Sequence, residues 1–171
     1  MKAFSQEDSC GQTDNKKAAE LYKKGTDKKK YQKEERVAFL RQAIDLDPDY
    51  VAANFALAEE FVKTAYANKT PVDPAVPYFL TVIKDCPKYH SDPYYYTGIS
   101  AFEADAYPEA VKYLKGFISF KEDDVKKYAK DYDTFIYDAK QKLKESAKYL
   151  IYWQTAVMVF LWNFLKRSPT L

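Results

Sequence analysis

Apolar residues recur through most of the chain at spacings of three and four, which places them on one side of a helix. Asn15 to about Lys29 carries Ala18, Leu21, Tyr22 and Gly25 in this way. Tyr50 to about Ala65 carries Ala53, Leu57, Ala58 and Phe61, and Pro93 to about Ala104 carries Tyr94, Gly98, Ala101 and Phe102. Each stretch is followed by a second amphipathic one: RVAFLRQAIDLDP (36–48), AVPYFLTVIKDCP (75–87) and AVKYLKGFISFKE (110–122). These three superimpose position by position. Leu40, Phe79 and Leu114 correspond, as do Ala43, Val82 and Phe117, at successive offsets of 39 and 35 residues. The pattern is a tandem array of helix pairs, and arrays stack because no single pair can bury its apolar side alone.

The punctuation agrees with that reading. Asp73-Pro74 and Asp92-Pro93 read as a helix cap followed by proline in the first turn, and Pro108 opens its helix likewise. Pro77 falls in a first turn, where little hydrogen bonding is lost. Pro48 and Pro87 end helices and set the turn into the next. YANKTPVD (66–73) is a loop and accounts for the longer offset of the middle unit. The predicted organisation is a polar, mobile lead-in over 1–14, three helix pairs over 15–48, 49–87 and 88–122, a capping helix over 123–150, and an apolar end over 151–171. In the capping helix, Tyr132, Ile136, Ala139, Leu143, Ala147 and Leu150 share a stripe suited to covering the last pair.

YLIYWQTAVMVFLWNFL (149–165) differs in kind, being apolar nearly all round and interrupted by Gln154, Thr155 and Asn163. Burying a large side chain is worth roughly 1.5–3 kcal/mol, so water is a poor solvent for this stretch. Three expectations stand side by side: a buried last helix folded back on the array, a tail anchor or partner-binding helix bounded by Lys166 and Arg167, or a terminus that departs from the natural continuation. At 17 residues it sits at the short limit for spanning a bilayer.

The repeats resemble tetratricopeptide (TPR) units, which are about 34 residues long, pair two antiparallel helices, and carry small residues where those helices cross. LRQAIDLDP (40–48) is similar to the usual end of the second helix. NFALAEEF (54–61) is similar to the first helix, with Leu57 and Ala58 as its large–small pair. YPEAVKYL (107–114) is similar to the turn into the second helix, with Ala110 at the close-contact alanine. Gly25, Ala58 and Gly98 are then the small residues of the first helices, and Ala75 and Ala110 those of the second. The resemblance covers roughly residues 15–122 and implies an all-α, TPR-type α-solenoid of about three helix pairs with a C-terminal capping helix. The same stripes would also serve an ordinary helical bundle.

A narrower resemblance rests on CPKYHSDPYYYTGISAFEADAYPEAVKYLKGFISF (86–120) and the Lys/Asp/Tyr-rich helix after it. It is similar to the TPR region of Bacteroidetes cell-envelope proteins, in which exported repeats precede a β-propeller and an OmpA-like domain, some of them in the type IX secretion apparatus. AFSQ (3–6) suits the end of their export signal. The resemblance implies a periplasmic scaffold associated with the outer membrane, with the cytoplasm as the alternative. Neither the propeller nor the OmpA-like domain is present in this sequence, so peptidoglycan binding does not carry over.

Composition narrows the function classes. Four glycines and 30% charged residues in 171 suit helices, and 16 Tyr with 11 Phe supply the rings that interdigitate helix pairs. A net charge of +2 lacks the concentrated basic footprint of a nucleic-acid binder. Nine Lys/Arg against four Asp/Glu over 16–36 read as a solvated helix face or a weak attraction for acidic partners. Cys10 and Cys86 form no CxxC pair; they are either a disulfide in an oxidising compartment or a tail thiol and a buried thiol. His90, the single histidine, reads as a solvated turn residue in KYHSDP. KEDD (121–124) reads as helix N-terminal charge rather than a calcium loop. No phosphate loop, nucleophile elbow or zinc motif occurs, so neither enzyme activity, cofactor, metal nor small-molecule substrate is expected.

The resemblance places the first helix of each pair on the concave face. On that mapping Tyr22, Phe55 and Tyr95 fall at one equivalent position, with Glu59 and Ile99 one turn on. The expectation is a ladder of rings for an extended peptide or partner helix, with Glu59 and Lys29 setting polarity at its edges. Asn54 lies near this face but arginines do not, which argues against recognition of a C-terminal carboxylate. The alternative function is an adaptor held to a membrane through 149–165.

Overall fold

The computed structural model describes residues 10–120 and 132–167. Among them are seven α-helices and no strand: α1 (Lys16–Thr26), α2 (Lys33–Leu46), α3 (Val51–Asn68), α4 (Val76–Asp85), α5 (Asp92–Glu103), α6 (Tyr107–Ile118) and α7 (Tyr132–Arg167). A 3-10 turn, Asp73–Ala75, leads into α4. Caps fix several boundaries. The Asn15 side chain accepts from the Ala18 N–H at 3.1 Å, and Glu35 accepts from the Gln32 N–H at 2.9 Å, so orphan donors at the starts of α1 and α2 are satisfied. Lys69 ends α3 in the left-handed conformation at φ 54°.

Each helix packs on its chain neighbour, and α1 reaches α3 as α5 reaches α7. This is the contact pattern of stacked helix pairs: an all-α helical-repeat fold. The repeat positions land inside, with Leu40, Phe79, Leu114, Ala43, Val82 and Phe117 all buried. Close approach within pairs is equally regular. A Cβ on Gly25 would stand 2.6 Å from Leu40 Cγ, and one on Gly98 would stand 2.8 Å from Leu114 Cγ. Ala58 and Phe79 share the same buried cluster at the equivalent place in the middle pair. Ala75 and Ala110 are fully buried, although Ala75 belongs to the 3-10 turn rather than to α4.

Two features tie the pairs to one another. Arg36 on α2 meets Glu60 on α3 at 3.2 Å, and Lys63 adds a second cation at 3.3 Å. Arg36 is therefore enclosed, a correction to the reading of 16–36 as one solvated face; Lys16, Lys17, Lys23, Lys24, Lys28, Lys29 and Lys30 do face solvent. The second tie is the Cys10–Cys86 disulfide, with Cα atoms 5.9 Å apart. It closes a loop of sequence separation 76 and sets aside the alternative of two free thiols. Gly11, at φ 93°, then lies against the Tyr89 ring, Thr13 hydrogen-bonds Asp47, and Asn15 donates to the Leu46 carbonyl at 3.1 Å. Residues 10–14 are thus fastened down rather than part of a mobile lead-in; 1–9 lie outside the described residues.

The terminal helix corrects the expected division at 150. It is one element of 36 residues, and nothing breaks it where the apolar stretch begins. Its inner side is formed by Phe135, Ile136, Ala139 and Leu143 with buried Ser146, while Ala147 points outward. The Ser146 hydroxyl turns back to the Lys142 carbonyl at 2.8 Å, which allows it to sit in an apolar seam. The KEDD run and the start of the expected capping helix lie outside the described residues.

Candidate functional site

The first helix α1 touches α3, and the end of α3 shares the wall of a hollow with α5; the outward residues of these three helices form the candidate binding face. Tyr22 is half-buried against Tyr50, with ring centroids 5.3 Å apart. Burial raises its hydroxyl pKa, and the nearby Glu59 carboxylate raises it further. Glu59 is itself half-exposed and 3.7 Å from Lys63, one turn along α3. The same carboxylate acts on Tyr96 of α5, whose pKa is raised first by burial and then by Tyr66, Asp92 and Glu59. The Glu59 carboxylate thus lies within electrostatic reach of tyrosines on α1 and α5.

Phe55, one turn earlier on α3, is half-buried against Phe79, Tyr89 and His90 at 6.2, 5.5 and 4.8 Å. Its neighbour His90 is not a solvated turn residue: its side chain is 13% exposed, and Nδ1 accepts from the Asp92 N–H at 3.2 Å. The expectation failed because the turn folds back over α3, and Phe55 offers an aromatic surface to the imidazole.

Tyr95 departs from the mapping. It is 5% exposed, and its ring packs on Phe117 and Phe135 at 5.1 and 4.7 Å. Its hydroxyl donates to Asp138 Oδ2 at 2.9 Å, while Lys142 holds the other carboxylate oxygen at 2.6 Å. Burial and the Asp138 carboxylate drive its pKa well above the ordinary tyrosine value. Tyr95 thus joins α5 to α7 instead of lining an open ladder with Tyr22 and Phe55, and among the described residues no ring contact links these three. Tyr96 is drawn inward as well, buried and stacked on Phe79 at 5.7 Å, while Tyr94 stays half-buried against Phe120. The run Tyr94-Tyr95-Tyr96 carried no signal to separate them, because the packing of α4, α6 and α7 decides which rings are drawn inward.

Ile99 is half-buried and faces an open hollow of about 270 Å³ between the end of α3 and α5. Tyr66, Lys69, Val72 and Glu103 are among the other residues of its wall. Tyr66, exposed at the rim, lies 6.3 Å from the Tyr96 ring and was missed in the sequence because it falls in the stretch read as loop. The face as a whole presents half-wet rings around a carboxylate. That chemistry suits apolar and hydrogen-bonding or cationic groups of a polypeptide. Among the described residues no group of His, Cys, Asp and Glu is arranged to hold a metal ion.

Comparison with known proteins returned no matching family model, no matching curated protein and no matching solved structure.

Proposed function

We propose that this chain is a TPR-like interaction scaffold that binds a protein or peptide partner on the face built by α1, α3 and α5. The observation that carries the reading is the placement of half-exposed Tyr22, Phe55, Glu59 and Ile99, with exposed Tyr66, on consecutive first helices. Stacked helix pairs create such extended surfaces, and aromatic anchors commonly dominate their binding energy. The partner segment expected here offers apolar side chains and at least one cationic group to Glu59.

The envelope setting follows from two supports. The sequence resembles exported TPR regions of cell-envelope proteins, some from type IX secretion. The Cys10–Cys86 disulfide suits an oxidising compartment such as the periplasm. The test is a photo-crosslinking amino acid placed at Glu59 and, separately, at exposed Lys112 on α6, in the organism that makes the protein. A discrete adduct at Glu59 that is lost on adding Tyr22→Ala, and is absent at Lys112, supports the proposal. Equal adducts at both positions, or no adduct at Glu59, overturns it.

A further inference from the structure

The far half of α7 leaves the helix pairs. Tyr149 stacks on Tyr107 of α6 with centroids 4.5 Å apart, and beyond it the described side chains from Ile151 to Met158 all face solvent. Ile151 is 64% exposed, Tyr152 62% and Met158 69%. At about 100° per residue, Tyr149, Ile151, Tyr152, Ala156, Val157 and Met158 fall on nearly every side of the helix. For its described side chains, the expectation that this stretch folds back as a buried last helix is therefore corrected: from Ile151 to Met158 no other described element covers them.

An apolar surface on all sides restricts what can cover it. A partner protein, or a second copy laid alongside, covers one stripe with a fixed surface; the headgroup–acyl boundary yields around the helix, taking apolar side chains on its deep side and tyrosine rings with their hydroxyls on its shallow one. One polar group within the stretch fits that medium. Thr155 returns its hydroxyl to the Ile151 carbonyl at 2.9 Å, which removes a free donor. Charge supplies the second argument. From Lys140 to Arg167 the sequence holds six basic residues and one acidic residue, and the basic ones stand at both ends of the apolar run. Lys140, Lys144 and Lys148 are exposed on the approach, with the Lys148 ammonium 5.9 Å from the Tyr152 ring. Paired basic ends with tyrosines beside them match an anionic headgroup layer. Among the described residues no helix is long and apolar enough to cross a membrane.

We propose that the end of α7 docks this protein on an anionic bilayer, with 149–165 lying in the headgroup–acyl boundary of one leaflet. Lys148 and its upstream lysines contact headgroups at one end, and Lys166 and Arg167 do so at the other. The helix pairs stay in water with their binding face free.

The two tryptophans of the chain, Trp153 and Trp162, both lie in the docking stretch, so intrinsic fluorescence reports on it directly. The full chain is titrated with phosphatidylcholine vesicles, with equimolar phosphatidylcholine/phosphatidylglycerol vesicles, and with the latter carrying brominated acyl chains. Expected are a blue shift with anionic vesicles and quenching by the brominated ones. Replacing both Lys144 and Lys148 by Gln weakens partitioning roughly fivefold per lysine on anionic vesicles and leaves neutral ones unaffected. Ile151→Glu with Met158→Glu weakens it at least about tenfold, and since both residues are exposed the circular dichroism and melting of the body stay unchanged. A spectrum indifferent to vesicles overturns the proposal. So does a blue shift in vesicle-free buffer that grows with protein concentration and persists when vesicles are added, which assigns the stretch to a second copy.

Discussion

The close approach of α5 and α6 at Gly98 gives the sharpest test of the packing. Changing Gly98 to Ala places a Cβ 2.8 Å from both Leu114 Cγ and Cδ2 and 3.1 Å from the Leu114 backbone nitrogen. Carbon pairs are most stable at about 3.5–4.0 Å, so the overlap approaches an ångström. Leu114 is fully buried, so it moves only by displacing packed neighbours. Either the helices part or Leu114 leaves its rotamer, at a cost of roughly 1–3 kcal/mol. Against this, alanine in a helix interior is favoured over glycine by about 1 kcal/mol. The net expectation is a loss of about 1 kcal/mol, read as a lower urea midpoint at constant slope. The sign should reverse once the obstacle is gone. In a Leu114→Ala background the side-chain overlap is gone and only the 3.1 Å backbone contact remains, so Gly98→Ala recovers most of its propensity gain, giving a coupling of about 1–2 kcal/mol in the double-mutant cycle. Gly25→Ala against Leu40 should behave alike, since Leu40 and Leu114 are repeat equivalents. Stabilisation by Gly98→Ala alone, or a cycle without coupling, would refute the packing argument.

Other expectations follow from single interactions. Cys10→Ser opens a loop of separation 76 and should lower stability by about 2–4 kcal/mol, with dithiothreitol producing the same loss in the native chain. Glu60→Gln leaves Arg36 enclosed without its carboxylate and should cost about 3 kcal/mol at neutral pH. Burial works to raise the Glu60 pKa, but Lys63 and Arg36 together bring it below the ordinary value of 4.5. Its contribution is therefore present above pH 4.5 and disappears as pH falls through the lower folded value, so native and variant unfolding curves converge in acid. The buried hydroxyls act in the opposite direction. Tyr95 and Tyr96 are held neutral, chiefly by burial, while the unfolded chain titrates near 10.0. Their contribution is constant below that pH, so thermal midpoints should fall as pH rises above it, less steeply in Tyr95→Phe.

The helices and their pairing could be read from residue order, because period and punctuation are local properties. Leu40, Phe79 and Leu114 are inside because apolar residues recurring at helical spacing must share a face, and prolines at 77, 93 and 108 fall where first turns have no donor to lose. Gly25, Ala58 and Gly98 could be found for the same reason: small residues at equivalent places mark where two backbones approach. What tertiary structure alone decided was the facing of individual side chains and the fate of the ends. Tyr95 and Tyr96 differ by one residue and not at all in chemistry, and both are buried, yet Tyr95 is tied through its hydroxyl to Asp138 of α7 while Tyr96 stacks on Phe79 of α4. Cys10 meets Cys86 across a loop whose length the sequence states but whose closure depends on where α4 ends. Hydrophobicity marked 149–165 as needing cover; only the extent of the helix pairs established that, for its described side chains, the body supplies none. Periodicity is written in neighbours three and four apart, whereas these outcomes depend on surfaces brought together from distant parts of the chain.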